Sequence, residues 1–229
     1  MPVEHRFPDG ASAAADIAAR IAAILSGAVA ERGVASIALS GGRSPRPVLE
    51  ALSTADIDWG KVVVTLVDER WVSPDSADSN ERLVRETLLT GAAARARFVP
   101  MKNEAADAYA GQAACAAAFA ALPWPLDIVL LGMGDDGHTA SLFPDGAELA
   151  QGLTGSERVI AATPPAAPHQ RMTLTATAIL QSRHILLQIS GGAKKAVYDR
   201  ALAGGPVEDL PIRLALLQDA TPVEAWIAS

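Results

Sequence analysis

One histidine in this sequence has neighbours that could prepare it for acid–base chemistry. His138 closes the segment Gly-Met-Gly-Asp-Asp-Gly-His at residues 132–138. Asp136, two residues earlier, can position or polarise the imidazole, which ionises close to neutral pH. An Asp-x-His pair can also bind a metal, but no further His or Cys nearby completes a ligand set. We therefore predict a water-activating histidine and no metal.

A second segment has the composition of an anion-binding loop. It contains Ser40, Gly41, Gly42, Arg43 and Ser44, and it lies between a predicted strand and a predicted helix. Glycines let backbone N–H groups approach an anion, and the dipole of the following helix favours negative charge. The segment has neither the Walker pattern nor the dinucleotide pattern, so it gives no support for nucleotide binding. From these residues alone, a phosphate site and an ordinary turn both remain open.

Several charged residues are further candidates for a site. Asp68 and Arg70 follow a predicted strand, where they could bind hydroxyl groups, orient a catalytic group, neutralise an anion or form a surface ion pair. Arg171 follows a proline-rich stretch, and Lys195 lies just inside a predicted helix that follows two glycines. For these two isolated cations, solvated surface charge is the simplest interpretation of the residues alone.

The composition limits the class of protein. The chain has 229 residues, of which 50% are hydrophobic and 20% charged, as expected for one compact α/β domain over residues 1–229. A net charge of −7 argues against nucleic acid as the main partner. The single cysteine, Cys115, allows no disulfide framework, and the N-terminal residues lack a signal-peptide pattern. There is no run of about 18 apolar residues. We therefore expect a cytoplasmic protein with no membrane partner.

Apolar strands alternate with helical patterns along the chain. Strands are predicted at residues 34–39, 61–67, 127–131, 158–162 and 184–189, with another near the C-terminus in 210–227. Helices are predicted at residues 12–32, 47–52, 80–89, 105–122 and 193–202, with a short one in 210–227. Parallel strands need crossover connections, so this alternation predicts a Rossmann-like, three-layer α/β sandwich with a mostly parallel sheet. Ligands bind such sheets at the carboxyl ends of the strands, where the polar segments should meet.

Four segments, taken together and in order, resemble the family that joins 6-phosphogluconolactonases to glucosamine-6-phosphate isomerases and deaminases. The resemblance covers nearly the whole chain. The segments are residues 40–45, 68–72 with Ser79 and Asn80, 132–144, and 171–175.

The resemblance implies an enzyme that acts on a small phosphorylated sugar lactone and uses no cofactor. It also implies that residues 40–44, Arg171 and Lys195 hold the phosphate, with the sugar end near Asp68 and His138. In the related deaminases, an Asn-Glu-Pro sequence after the Asp-Gly-His motif supplies a glutamate to the catalytic histidine. Residues 142–145 here are Leu-Phe-Pro-Asp, so hydrolysis is favoured over deamination.

The expected mechanism is attack of water on the lactone carbonyl. His138 would take the proton, oriented by Asp136 or a neighbouring carboxylate such as Asp68. Arg70 or backbone N–H groups would stabilise the oxyanion. Two alternatives remain: an amino-sugar-phosphate deaminase, and a non-catalytic sugar-phosphate sensor.

Overall fold

The computed structural model describes residues 1–229 and contains ten strands and eight α-helices. The strands are β1 (Val3–Phe7), β2 (Ala35–Leu39), β3 (Val62–Leu66), β4 (Asp68–Arg70), β5 (Arg97–Phe98), β6 (Leu126–Leu131), β7 (Val159–Ala162), β8 (Arg171–Leu174), β9 (Ser182–Ser190) and β10 (Val223–Ala228). The helices are α1 (Gly10–Arg32), α2 (Arg46–Ser53), α3 (Asn80–Thr87), α4 (Ala108–Ala120), α5 (Leu149–Thr154), α6 (Ala176–Leu180), α7 (Gly192–Leu202) and α8 (Arg213–Leu216).

Seven strands form one parallel sheet in the order β1-β10-β9-β6-β2-β3-β5. Every residue of β2, β3 and β6 is buried, which explains why their sequences are mostly apolar and β-branched. The helices flank this sheet, so the predicted Rossmann-like sandwich is confirmed. The buried apolar side chains form one continuous cluster of 60 residues, consistent with our proposal of a single domain.

Two capping residues determine where the longest helix, α1, begins and ends. Asp9 accepts a hydrogen bond from the N–H of Ser12 (2.8 Å), and Gly33 ends the helix in the left-handed conformation with φ of 74°. By length and composition, α1 is apolar enough to cross a membrane, which the sequence analysis did not recognise. Its apolar stripe is buried in the core, and Asp16 accepts a hydrogen bond from Trp226 of β10 (2.7 Å). These contacts are those of a core helix.

A second, antiparallel sheet in the order β4-β8-β7 was missed by the sequence analysis. β4 has only three residues, all charged, so it shows no apolar periodicity and was not predicted as a strand of its own. β8 begins at Arg171, and its four residues are buried. The pairing of β4 with β8 places Arg70 opposite Arg171. Two arginines that lie far apart in sequence therefore meet on one small sheet.

Candidate active site

A cavity of about 210 Å³ lies at the carboxyl ends of the central strands. Its lining includes eight of the predicted site residues: Ser40, Gly41, Gly42, Arg43, Ser44, Asp68, Arg70 and His138. Ser40 directly follows β2, and Gly132 directly follows β6. The parallel sheet thus brings the polar segments to one edge, where ligands bind in folds of this class.

His138 is held by the carboxylate of Asp136. Its ring Nδ1 lies 2.6 Å from Oδ1 of Asp136, and the same oxygen accepts a hydrogen bond from the His138 backbone N–H (3.1 Å). Partial burial raises the pKa of the Asp136 carboxyl, but the hydrogen bonds from His138 outweigh this effect and leave the pKa below its ordinary value. With Nδ1 engaged, Nε2 is the ring nitrogen that remains for a water molecule.

Two further features fix the position of the His138 ring. The ring packs against Phe143, with the ring centroids 4.3 Å apart. Gly134 also lies close to the ring, because an added Cβ there would collide with the imidazole and with the Asp136 carboxylate. Glycine is therefore needed at position 134 because the side chain of His138 folds back over this part of the loop.

Residues 40–44, which we call the phosphate loop, present backbone donors to the cavity. The N–H groups of Gly41, Gly42, Arg43 and Ser44 have no acceptor within the protein. Ser40 is different, because its hydroxyl donates to the Leu130 carbonyl (2.8 Å) and accepts from the Gly132 N–H (3.1 Å). A row of free N–H groups before the start of α2 is suited to an anion, whereas Ser40 ties the loop to β6.

Glycine is also required at position 41 of the phosphate loop. A Cβ there would collide with the side-chain amide of Asn80, which donates to the backbone carbonyl of Asp68 (2.8 Å). The loop therefore packs directly on the residue that opens α3. This close approach joins the phosphate loop to the segment that carries Asp68.

Asp68 is fixed by residues other than His138. Its Oδ2 accepts a hydrogen bond from the Ser141 hydroxyl (2.6 Å), and its Oδ1 lies 3.3 Å from the amide nitrogen of Asn80. The Ser141 N–H in turn donates to the hydroxyl of Thr173 on β8 (3.0 Å). Of the two carboxylates considered for orienting His138, the structure therefore places Asp136, not Asp68, in contact with the ring.

The two arginines on the small sheet have different surroundings. Arg70 lines the main cavity and donates to the Asp78 carbonyl (2.6 Å). Arg171 is only 6% exposed, its Nε and Nη1 have no partner, and burial lowers its pKa. It lines an adjoining cavity of about 330 Å³, which shares Asp68, Arg70 and His138 with the first. A buried guanidinium with unpaired donors is costly unless a ligand or water satisfies it.

Glu69 has a structural role in this arrangement. Its buried carboxylate accepts hydrogen bonds from the Ser79 hydroxyl and from the N–H groups of Arg70, Asn80 and Glu81, over distances of 2.7–3.0 Å. Burial raises the pKa of Glu69 despite these four donors. Because Glu69 binds the first residues of α3, it holds Asn80 in place beside Asp68.

The structure corrects the expected position of one cation. Lys195 does not line the cavity, because its ammonium is paired with Asp199 one turn later on α7 (2.5 and 2.7 Å). Lys194 lines the cavity instead. Consecutive helix residues point about 100° apart, which explains why the two adjacent lysines have different surroundings. The sequence analysis also missed Asn80 and Gln188 as lining residues.

The structure shows no group of three or more His, Cys, Asp or Glu side chains arranged to hold a metal ion. Asp136 is the only carboxylate that contacts His138. The chemistry that this arrangement offers is therefore that of a carboxylate-oriented imidazole beside a cationic, N–H-rich cavity.

Comparison with known proteins gives one consistent result. The sequence profile described as "Glucosamine-6-phosphate isomerases/6-phosphogluconolactonase" matches residues 8–224. A 6-phosphogluconolactonase from Mesorhizobium japonicum is 46% identical over 98% of this chain and 94% of its own length. One from Pseudomonas putida is 44% identical over 94% of this chain and 89% of its own length.

A solved structure agrees with the sequence relatives. The crystal structure of a 6-phosphogluconolactonase from Shewanella baltica superposes with a TM-score of 0.98 at 43% identity, covering 100% of this chain and 98% of the other. The four segments that suggested the resemblance all lie within the matched residues. This chain therefore belongs to the glucosamine-6-phosphate isomerase/6-phosphogluconolactonase family.

Proposed function

We propose that this protein is an enzyme that hydrolyses 6-phosphogluconolactone to 6-phosphogluconate, a step of the oxidative pentose phosphate pathway. The observation that carries the proposal is His138, which is paired with Asp136 and lines the same cavity as the phosphate loop. A general base and an anion site within one cavity match a substrate that has an ester carbonyl at one end and a phosphate at the other. The names of the relatives support the same reaction.

The proposed reaction begins with proton transfer. Nε2 of His138 removes a proton from water while the water oxygen attacks the lactone carbonyl carbon. The guanidinium of Arg70, which lines both cavities, stabilises the oxyanion of the tetrahedral intermediate. When the intermediate collapses, the C–O bond to the ring oxygen breaks, and the imidazolium of His138 returns the proton to that oxygen. Asp136 keeps Nδ1 oriented and stabilises the imidazolium.

The phosphate is proposed to bind where positive charge and free N–H groups meet. The phosphate loop supplies backbone donors, and Lys194 supplies an ammonium group on the same cavity. Arg171 offers a second cation from the adjoining cavity, with unpaired donors beside Asp68. We therefore replace Lys195 by Lys194 in the expected phosphate site and retain Arg171 and residues 41–44, whereas Ser40 anchors the loop to β6. A cytoplasmic location also remains our proposal.

The direct test is the rate of 6-phosphogluconolactone disappearance at slightly acidic pH, where spontaneous ring opening is slow. We expect rapid hydrolysis by the purified protein, unchanged by a chelator. No acceleration over buffer would contradict the proposal. Ammonia release from glucosamine-6-phosphate would then identify a deaminase, and tight binding of sugar phosphate without turnover of either substrate would identify a sensor.

The two adjacent lysines of α7 provide a matched test of the phosphate site. We expect Lys194→Ala to raise KM for 6-phosphogluconolactone roughly 10- to 100-fold, because a hydrogen bond to a charged group contributes about 1.5–3 kcal/mol. Lys195→Ala, which removes only the exposed pair with Asp199, should change KM less than about twofold. Steady-state kinetics of the two variants measure this difference. A larger effect at Lys195 would restore the original assignment.

A further inference from the structure

Gln188 is a buried polar residue without a partner on the wall of the candidate active site. It lies near the carboxyl end of β9, in the sequence Ile-Leu-Leu-Gln-Ile at residues 185–189. It is 6% exposed, and its side-chain Oε1 is buried without a hydrogen-bond partner. Buried polar groups in folded proteins are nearly always paired, so an unpaired amide beside a cavity requires an explanation.

Gln188 differs in polarity from the residues around it on β9. The other four residues of the 185–189 segment are buried and apolar, and they belong to the hydrophobic core. On the neighbouring strand β10, Gln188 is paired in register with Trp226, whose indole N–H is bonded to Asp16. No polar side chain of the sheet therefore accounts for the amide at this position.

The position of Gln188 at the cavity suggests a role in binding a ligand. Gln188 shares the lining of the main cavity with the phosphate loop and Lys194. It is absent from the lining of the adjoining cavity that contains Arg171. Of the two cavities, Gln188 therefore lines only the one that contains the phosphate loop. Oε1 is the buried end of the amide, so Nε2, which is a donor only, is the end that can reach a ligand in the cavity.

We propose that Gln188 is a substrate-binding residue that donates a hydrogen bond from Nε2 to the phosphate of the sugar lactone. This proposal rests on the function proposed above and assigns one more contact of the same site. A neutral donor complements the ammonium of Lys194 and the N–H groups of the phosphate loop without adding charge. The donor in this contact is Nε2, since Oε1 is the buried end of the amide.

The test compares two variants with two lactones. Gln188→Leu removes the donor, and Gln188→Glu places a carboxylate of similar shape against the phosphate. For 6-phosphogluconolactone, we expect KM to rise about 10-fold in the leucine variant and about 100-fold or more in the glutamate variant, with kcat within about threefold of wild type. For glucono-1,5-lactone, which lacks the phosphate, kcat/KM should stay within about twofold of wild type in both variants.

Controls separate this proposal from the proposed function and from misfolding. Gln181→Glu makes the same change at an exposed position just before the start of β9 and should leave both substrates unaffected. Calorimetric titration with 6-phosphogluconate should show the same order of affinities, wild type above Gln188→Leu above Gln188→Glu, whether or not the protein hydrolyses the lactone. Thermal melting of each variant confirms that it is folded.

Two results would overturn the assignment. An equal loss of kcat/KM for both lactones in a folded Gln188→Leu variant would mean that the amide contacts the sugar, not the phosphate. Unchanged KM and product affinity in that variant would mean that Gln188 makes no contact with the substrate. Absence of lactone hydrolysis by the wild type would instead reject the proposed function, while the titration would still decide the role of Gln188.

Discussion

Replacing His138 with alanine is expected to lower kcat for 6-phosphogluconolactone about 10²- to 10⁴-fold, the usual contribution of a positioned general base. KM should change little, because the proposed phosphate contacts come from the phosphate loop and from cations on other elements. The loss arises in the transition state, where His138 takes the proton from the attacking water. Steady-state kinetics at slightly acidic pH, corrected for spontaneous hydrolysis, measure the change.

His5 provides a control for the loss of an imidazole. His5 lies on the edge strand β1, where its ring is 3.4 Å from the carboxylate of Glu224 and stacks on Trp226, and it is absent from both cavities. The His5→Ala variant should retain wild-type kcat if it is folded. A folded His138→Ala variant with kcat within about threefold of wild type, well short of a general base's contribution, would show that another group activates the water.

Replacing Asp136 with asparagine is expected to lower kcat about 10²-fold. The corresponding change in a serine-protease triad costs about 10⁴-fold, because the amide no longer selects the correct imidazole tautomer. The Asp136 side chain is 50% exposed, so solvent screens its interaction with His138 and we expect a smaller loss. The kcat of the variant, measured at the pH optimum of the wild type, tests this value.

Two neighbouring carboxylates serve as comparisons for Asp136. Asp135 is exposed and belongs to the same loop, so Asp135→Asn should have kcat close to that of the wild type. Asp68→Asn removes a carboxylate that binds Ser141 and Asn80 but does not contact His138. If Asp68→Asn lowers kcat and Asp136→Asn does not, Asp68 serves the histidine during turnover and the orientation proposed here is wrong.

The expected pH dependence of the activity follows from the ionisation state of Asp136. Hydrogen bonds from His138 outweigh the effect of partial burial and hold the pKa of Asp136 below its ordinary value. The carboxylate therefore stays ionised as the pH falls through the mildly acidic range. A loss of activity in that range would therefore not arise from protonation of Asp136, and it should be reversed when the pH is raised again.

The sequence predicted the fold because the core strands carry a strong signal. β2, β3 and β6 are short apolar runs that end in glycine-containing or charged segments, and helical patterns separate them. The same regularity located the phosphate loop and His138, since parallel strands end at one edge of a sheet. The small antiparallel sheet had no such signal, because the sequence of β4 is entirely charged.

The other residues of the site could not be identified from the sequence, because the spacing of residues does not reveal which side chains face the cavity. Lys194 and Lys195 have nearly the same sequence context, and only the rotation of α7 decides which one faces the cavity. Gln188 lies among apolar residues of β9, so the sequence suggests only a buried strand. Its role as a lining residue becomes visible when the neighbouring cavity is known. Whether Asp68 or Asp136 contacts His138 likewise depends on how the loop folds back on itself.

The hydrogen bonds of Ser141 have a mechanical consequence for the catalytic loop. This residue follows His138 by three positions and binds Asp68 and Thr173, which lie on the small sheet. The loop that carries His138 is therefore attached at both ends. It follows β6 of the large sheet, and Ser141 binds it to the small sheet. A change in the relative position of the two sheets would move the imidazole. The alignment of the base therefore depends on how the two sheets pack together.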